Sequence, residues 1–258
     1  MKKGLLPYLM GIALLSAACS SSTEVDELTK PGYGTLALGV TAQTDFEALT
    51  RAVTESEYAN TANYTVEILQ NEEVKQSFTY SEKPATITLA NGSYLIKAHY
   101  GKESAASRTE FYVVGSMPFS VQGKEVTLNV DCAPTCGKLL VKFNTTEMDK
   151  HFSDYYVVYE TEALKAAGGN ATWAKTDTEP WYVKLNTAGE TVKATVHYVR
   201  MSDGKKQTQT VSYRMAPNQK WTLNIQPKKD AGNLGIDITI DESTVDQDII
   251  IDIPSEWL

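Results

Sequence analysis

The chain has 258 residues, a formal net charge of -8 and a pI of about 5.0. An acidic chain without a Lys/Arg cluster lacks the positive surface that contact with phosphate backbones requires, so nucleic acid is excluded as a partner. The 14 Tyr, the many Val, Thr and Ile residues and the scarcity of helical periods predict an all-β fold.

Residues 1–18 are predicted to be a cleaved export signal. Two lysines precede a short apolar run from Leu5 to Leu15, and Ser16-Ala17-Ala18 supplies small residues before Cys19. The apolar run is too short to cross a bilayer, which takes roughly 20 residues of helix. Cleavage removes two basic residues and changes the formal charge from -8 to -10.

Cys19 is predicted to become the lipidated first residue of the mature chain. A thiol directly after two alanines is what lipoprotein processing requires, and several acyl chains anchor a protein stably because each buried methylene contributes about 0.8 kcal/mol. Ser16 stands where lipoprotein signals usually carry Leu, which leaves an ordinary signal peptide with a chance Cys as the alternative. Residues 19–32 are polar and predict a flexible tether at the outer membrane, which faces either the cell surface or the periplasm.

A first β-sandwich is predicted over residues 33–132, because short strand patterns alternate with turn residues. The predicted strands are 34–40, 64–69, 74–80, 85–89, 94–100, 110–114 and 125–130. The second and third of them are expected to form a hairpin around residues 70–73.

Cys132 and Cys136 lie between the two predicted domains. In an oxidising compartment the alternatives are a disulfide that closes a small loop and two unbridged thiols. A redox motif would have two intervening residues at a helix N-terminus, whereas here three residues including Pro134 follow a strand. The pair is therefore a candidate structural disulfide.

A second β-sandwich is predicted over residues 137–258. Its predicted strands are 138–143, 155–159, 181–185, 190–199, 208–215 and 220–225, with a short helix at 161–169 and tail strands at 235–240 and 249–254. The apolar positions of 94–100 match those of 192–198 at period 2, which indicates a tandem duplication.

Catalytic and metal-binding motifs are not recognisable in the sequence. It lacks the nucleophile elbow, zinc-protease, P-loop and Rossmann patterns, and its three histidines share no metal-ligand spacing. The acidic stretch 237–252 lacks the residue order of a calcium loop. We therefore predict a non-enzyme without metal or cofactor; a glycosidase is the remaining alternative, since it needs only two carboxylates across a cleft.

Trp173 is the candidate ligand-contact aromatic residue. It lies between the predicted helix and the next strand, in a predicted loop, where an exposed ring would stack on the apolar face of a sugar. Core packing is the alternative and is the common use of such a ring.

Several segments resemble a Bacteroidetes lipoprotein family of unknown function, domain of unknown function 4493. They are Gly34-Thr35-Leu36, Thr50-Arg51-Ala52, Tyr64-Thr65-Val66, residues 89–94, Val130-Asp131-Cys132 and Phe152-Ser153-Asp154-Tyr155. The likeness covers nearly the whole mature chain. It implies two tandem Greek-key sandwiches, transthyretin-like or Ig-like, as in fimbrial anchor and cell-adhesion lipoproteins.

The same resemblance gives two segments a candidate role. A Thr-Arg-Ala site in fimbrial relatives is cut by an Arg-specific protease, so Arg51 is a candidate cleavage point, with an ordinary loop Arg as the alternative. Residues 249–253 either complete their own domain or pair into a neighbouring subunit.

These patterns together predict a non-catalytic surface lipoprotein of adhesin or fimbria-associated type. Its expected partners are the membrane through the lipid and fimbrial subunits, other surface proteins or glycans. A carbohydrate-binding accessory lipoprotein of a glycan-uptake system is the alternative. Both classes place β-sandwiches on lipid tethers, so the sequence does not separate them.

Overall fold

Nearly all regular structure in the described part of the chain is β-strand, as predicted. The computed structural model describes residues 32–44, 46, 55–230, 233–242 and 250–252. The N-terminal half of the chain ends at Pro134, and the C-terminal half begins at Cys136.

The N-terminal half is a single curled sheet around its own core. Its elements are β1 (Tyr33–Ala42), α1 (Glu55–Ala59), β2 (Thr65–Gln70), β3 (Glu73–Thr79), β4 (Ile87–Ala90), β5 (Gly92–Gly101), β6 (Ala106–Ser107), β7 (Tyr112–Val121) and β8 (Val126–Pro134). The described strands of the sheet follow the order β3-β2-β5-β7-β8-β1-β4. β1 therefore lies between β8, to which it is parallel, and β4, to which it is antiparallel.

The predicted hairpin at residues 64–80 is confirmed as β2 and β3. Gln70 pairs with Glu73, and Asn71 and Glu72 between them have φ angles of 52° and 66°. Positive φ at both central residues is the geometry of a type I′ turn, whose twist matches that of the flanking strands. This turn sets the register of the hairpin.

The C-terminal half contains two sheets that face each other. Its elements are β9 (Cys136–Phe143), α2 (Thr145–Met148), β10 (Phe152–Glu160), α3 (Glu162–Ala166), β11 (Ala171–Ala174), β12 (Trp181–Lys184), β13 (Glu190–Arg200), β14 (Lys206–Met215), β15 (Lys220–Asp230), β16 (Asn233–Glu242) and β17 (Ile250–Asp252). The described strands follow the orders β11-β10-β13-β14-β17 and β16-β15-β9-β12-β6. Apolar side chains of both sheets fill one core between them.

The two halves share one pattern of strand pairing. The order β8-β1-β4 corresponds to β15-β9-β12, and β3-β2-β5-β7 corresponds to β11-β10-β13-β14. The parallel pair β1–β8 likewise corresponds to β9–β15. The strands that suggested a duplication, β5 and β13, occupy equivalent places and alternate buried with less buried residues.

The predicted short helix is confirmed as α3. The Thr161 hydroxyl accepts a hydrogen bond from the Leu164 amide at 3.2 Å, which caps the first turn. The Glu190 carboxylate accepts a second one from the Glu162 amide at 2.8 Å. A helix of this length is not stable alone, so these contacts and burial of Leu164 hold it in place.

The predicted tail strands are present as β16 and β17. β16 pairs along β15, and β17 pairs with β14 from Ser212↔Ile250 to Thr210↔Asp252. Within the single chain β17 therefore pairs with its own half, and exchange of this strand into a neighbouring subunit stays a prediction.

Candidate functional site

The structure places the candidate site residues in different environments. Cys19 and Arg51 lie outside the described residues, so lipidation and proteolytic cleavage stay predictions. Cys132 and Cys136 are both buried free thiols, which corresponds to the unbridged alternative.

The backbone between the two cysteines is largely extended. β8 continues as strand to Pro134 and β9 begins at Cys136, so the chain is extended except at Thr135. A fully extended stretch of four residues would span roughly 13 Å, about twice the separation of Cα atoms that a disulfide tolerates, and the bend at Thr135 shortens this span. Burial also raises the pKa of Cys132 to about 11 and raises that of Cys136 further, which keeps both thiols protonated and unreactive.

The prediction that Trp173 lies in an exposed loop is wrong. Trp173 is part of β11, pairs with Val157 of β10 and is only 1% exposed. Because the loop after α3 ends at Asn170, the residue falls on the inward face of an edge strand and joins the core of the C-terminal half. Its ring cannot serve as an exposed surface for a ligand.

The residues with the most unusual surroundings lie at the junction between the halves. Lys138 of β9 is fully buried, and its ammonium lies 2.8 Å from the Glu55 carboxylate of α1. The same carboxylate oxygen accepts a hydrogen bond from the Tyr182 hydroxyl at 2.5 Å. A buried ion pair thus joins the two halves, since Glu55 belongs to the N-terminal half and the other two residues to the C-terminal half.

Aromatic packing continues across this junction. Tyr182 is a C-terminal residue, yet its ring is part of the N-terminal core, stacked on Phe111 at 4.8 Å between centroids and tilted against Phe46 at 5.8 Å. β6 of the N-terminal half in turn pairs with β12 and becomes the edge of a C-terminal sheet. Each half therefore contributes a part to the other.

Arg108, directly after β6, forms a second set of contacts between the two halves. Its guanidinium binds the Asp177 carboxylate at 2.5 Å, donates to the Thr172 carbonyl at 3.0 Å and also donates to the Glu179 carbonyl. It lies 4.3 Å from the centroid of the Trp181 ring and 5.1 Å from that of Trp173. A planar guanidinium can donate to several acceptors and stack on aromatic rings at the same time, whereas the ammonium of Lys cannot.

Arg108→Ala is expected to destabilise the protein by about 2–3 kcal/mol, because the half-buried guanidinium donates charged hydrogen bonds to three groups of the other half and all three are lost. The measurement is urea unfolding followed by circular dichroism. Arg200→Ala is the matched control, since Arg200 pairs with Asp203 three positions away within one turn; it should cost less than about 1 kcal/mol. Equal losses for the two variants would contradict a role of Arg108 in joining the halves.

A groove of about 630 Å³ lies beside this junction. It is lined by Glu103 and the loop after it, by α3, by the end of β12 and by Glu190. Glu190 accepts backbone hydrogen bonds with both oxygens, from Glu162 at 2.8 Å and from Asn186 at 2.9 Å. Glu103 forms an exposed ion pair with Lys184 at 2.8 Å, so of these two carboxylates only that of Glu190 has a clear structural role.

The described residues contain neither a cluster of metal ligands nor a helix that could span a membrane. Among these residues, no three His, Cys, Asp or Glu side chains gather where they could hold a metal ion. No helix within the described ranges is long and apolar enough to cross a bilayer.

Comparison with known families decides the relationship of the chain. Residues 32–255 match the family described as domain of unknown function (DUF4493). The chain belongs to the DUF4493 family. The match confirms the resemblance inferred from the sequence and spans both halves of the DUF4493 fold described above.

Solved structures similar to this DUF4493 protein share little sequence with it. A candidate cell adhesion protein from Bacteroides eggerthii is 10% identical, with a TM-score of 0.43, over 82% of this chain and 95% of that one. A candidate adhesin from Bacteroides ovatus is 9% identical, with a TM-score of 0.44, over 86% and 96%. A fimbrial assembly protein from Parabacteroides distasonis is 10% identical, with a TM-score of 0.42, over 85% and 98%. No curated protein matches the chain significantly.

The junction residues were not found by sequence reasoning. Glu55, Arg108 and Lys138 carry no motif, and their partners lie far along the chain; Arg108 and Asp177, for example, are 69 positions apart. A Lys within the apolar strand Cys136–Phe143 is the one signal that could have pointed to a buried ion pair.

Proposed function

We propose that this DUF4493 protein is a non-catalytic, lipid-anchored surface protein of adhesin or fimbria-associated type. In this proposal Cys19 carries the lipid, residues 19–32 form the tether, and residues 33–132 and 137–258 are two tandem Greek-key sandwiches. The two layers of the first sandwich would be the two ends of its single curled sheet. The repeated pairing order of the strands supports the tandem arrangement.

The junction between the halves is the observation that carries the proposal. Glu55, Lys138 and Tyr182 are buried in contact, and Arg108 binds across from one half to the other. A junction with few contacts would let the halves move independently, whereas this one makes them a single body that can hold a binding surface away from a membrane. The Glu190 carboxylate, both oxygens of which accept backbone hydrogen bonds, supports the non-catalytic class.

Partners in this proposal are fimbrial subunits or other surface proteins. The alternative of carbohydrate binding was based on an exposed Trp173 ring. Because Trp173 is buried, this alternative no longer has a candidate contact residue. Soluble chain starting at Ser20 tests the two classes: cross-linking to a surface protein with a silent glycan array supports the proposal. Saturable binding to a defined glycan would instead favour the accessory role in glycan uptake.

Cys19→Ser is expected to release the protein from the outer membrane, because without the thiol no acyl chains can be attached. Fractionation of cells with immunodetection is the measurement, and protease added to intact cells should digest only protein that faces outward. Ser21→Ala in the adjacent tether is the matched control and should stay membrane-bound. Retention of Cys19→Ser in the outer membrane would overturn the anchoring step, and protection of the wild type from protease would place the protein on the periplasmic side.

A further inference from the structure

The chain enters and leaves the N-terminal half at opposite ends of one parallel strand pair. β1 is the first described strand, and β8 leads through Pro134 directly into β9 of the other half. The pair is in register from Leu36↔Val126 to Ala42↔Cys132, seven residues on each strand. The chain from the N-terminal tether therefore enters this half through β1 and leaves it for the C-terminal half through β8.

This arrangement decides how tension would act. A pull on the N-terminal tether draws β1 toward its own beginning, whereas the C-terminal half draws β8 toward its own end. Because the strands are parallel, the two forces act in opposite directions along the strand axes, across hydrogen bonds that are evenly spaced. All of these bonds are loaded together in shear. In an antiparallel pair the two points of force would lie at the same end, and the bonds would open one after another.

Further contacts reinforce the pair. The Gln43 amide donates to the Cys132 carbonyl at 3.1 Å and continues the ladder beyond the last register position. On the outer face, the Asn129 amide group donates to the Thr41 hydroxyl at 3.3 Å and to the Asp131 carboxylate at 2.7 Å, and the Thr41 hydroxyl also donates to Asp131. These bonds tie the two strands together at the end where β8 leaves the half.

The inner face of β1 keeps water away from the ladder. Leu36, Leu38 and Val40 are between 5% and 7% exposed and belong to the N-terminal core. Sliding of β1 along β8 would expose all three side chains at once, which adds to the barrier against unfolding.

The C-terminal half repeats the arrangement. β9 receives the chain from β8 and is parallel to β15, in register from Lys138↔Lys220 to Phe143↔Ile225. A load applied near the far end of β15, at Lys229, would therefore shear this second pair as well.

We propose that the parallel pair β1–β8 is a mechanical clamp, and that the protein carries tensile load between an N-terminal anchor and a partner held by its C-terminal half. The partner and the lipid anchor rest on the function proposed above, but the clamp follows from the strand order alone. Resistance to force is set by the barrier to unfolding rather than by equilibrium stability.

Single-molecule force spectroscopy in two pulling directions tests the clamp. Both use the chain from Ser20 to Leu258 with one handle at its N-terminus. The second handle is attached through Lys229→Cys, which loads β1 and β8 in shear, or through Lys124→Cys, in the exposed turn before β8, which peels the same two strands apart. At one loading rate we expect a severalfold higher peak force in the shear direction. The event compared is the one whose length gain matches Tyr33–Pro134 in the shear direction and Tyr33–Lys124 in the peeling direction.

Controls separate mechanics from folding and from anchoring. The chain without an added cysteine shows how much handle attaches to the buried Cys132 and Cys136. Equal melting temperatures of the Lys229→Cys and Lys124→Cys variants show that the substitutions leave the fold intact. Equal peak forces in the two directions would overturn the clamp. That outcome leaves the localisation of Cys19→Ser unaffected, and mislocalisation leaves the force measurement unaffected, so the two proposals fail separately.

Discussion

Trp173→Ala is expected to lower the free energy of unfolding by about 3–5 kcal/mol, because loss of a fully buried indole leaves a cavity that the core fills only in part. Trp173 is among the largest fully buried side chains and also lies against the guanidinium of Arg108. The substitution therefore removes core packing and weakens the contact between the halves. Urea unfolding of the purified chain measures the loss.

Thr172→Ala is the matched control for this substitution. Thr172 is the neighbour of Trp173 on the same strand and faces solvent, so its loss should stay within about 0.5 kcal/mol. A loss below about 1 kcal/mol for Trp173→Ala would show that the indole is exposed after all. For the same reason, an effect of Trp173→Ala on glycan binding would report on folding and not on a sugar contact.

Glu55→Gln is expected to cost about 3–5 kcal/mol, because it removes the negative charge that lies 2.8 Å from the buried ammonium of Lys138. The pair is 2.8 Å apart with side chains that are 0% and 4% exposed, so water cannot replace the lost charge. Since the pair joins the two halves, we also expect the single unfolding transition to broaden or separate into two. Denaturant unfolding followed by tyrosine and tryptophan fluorescence resolves both effects.

Two further variants isolate the charge of Glu55. Glu57→Gln changes an exposed residue of the same helix and should be close to neutral. The double variant Glu55→Gln/Lys138→Met should recover much of the loss, because replacing a whole buried pair by uncharged groups is often tolerated. A single variant as stable as the wild type, or a double variant worse than the sum of its parts, would contradict the importance of the pair.

Local features of the fold followed from the sequence. The hairpin at Asn71-Glu72 and the helix after Thr161 were predicted, because each depends on residues that are neighbours along the chain. The tail strands were predicted from their own apolar pattern, although β17 pairs with the distant β14. Alternation of apolar residues at period 2 likewise identifies a strand and its buried face without knowledge of its partner.

Predictions about single side chains were less successful where they depended on distant contacts. Trp173 was assigned to a loop because β11 is only four residues long and has no clear alternation of its own. Its pairing with β10 turns the ring inward. The two cysteines posed a similar problem, since spacing in the sequence is compatible with a bridge whereas an extended backbone is not.

The sequence by itself therefore determined the β class, the tight turn, the short helix and the repeat of strand patterns. Only the tertiary structure decided how the halves are joined and which strands would bear a load. Tyr182 and Glu55 are 127 positions apart, and β1 meets β8 after the whole N-terminal half has been traversed. Local preferences of the chain cannot encode which distant segments meet, because that choice depends on the packing of two complete cores against each other.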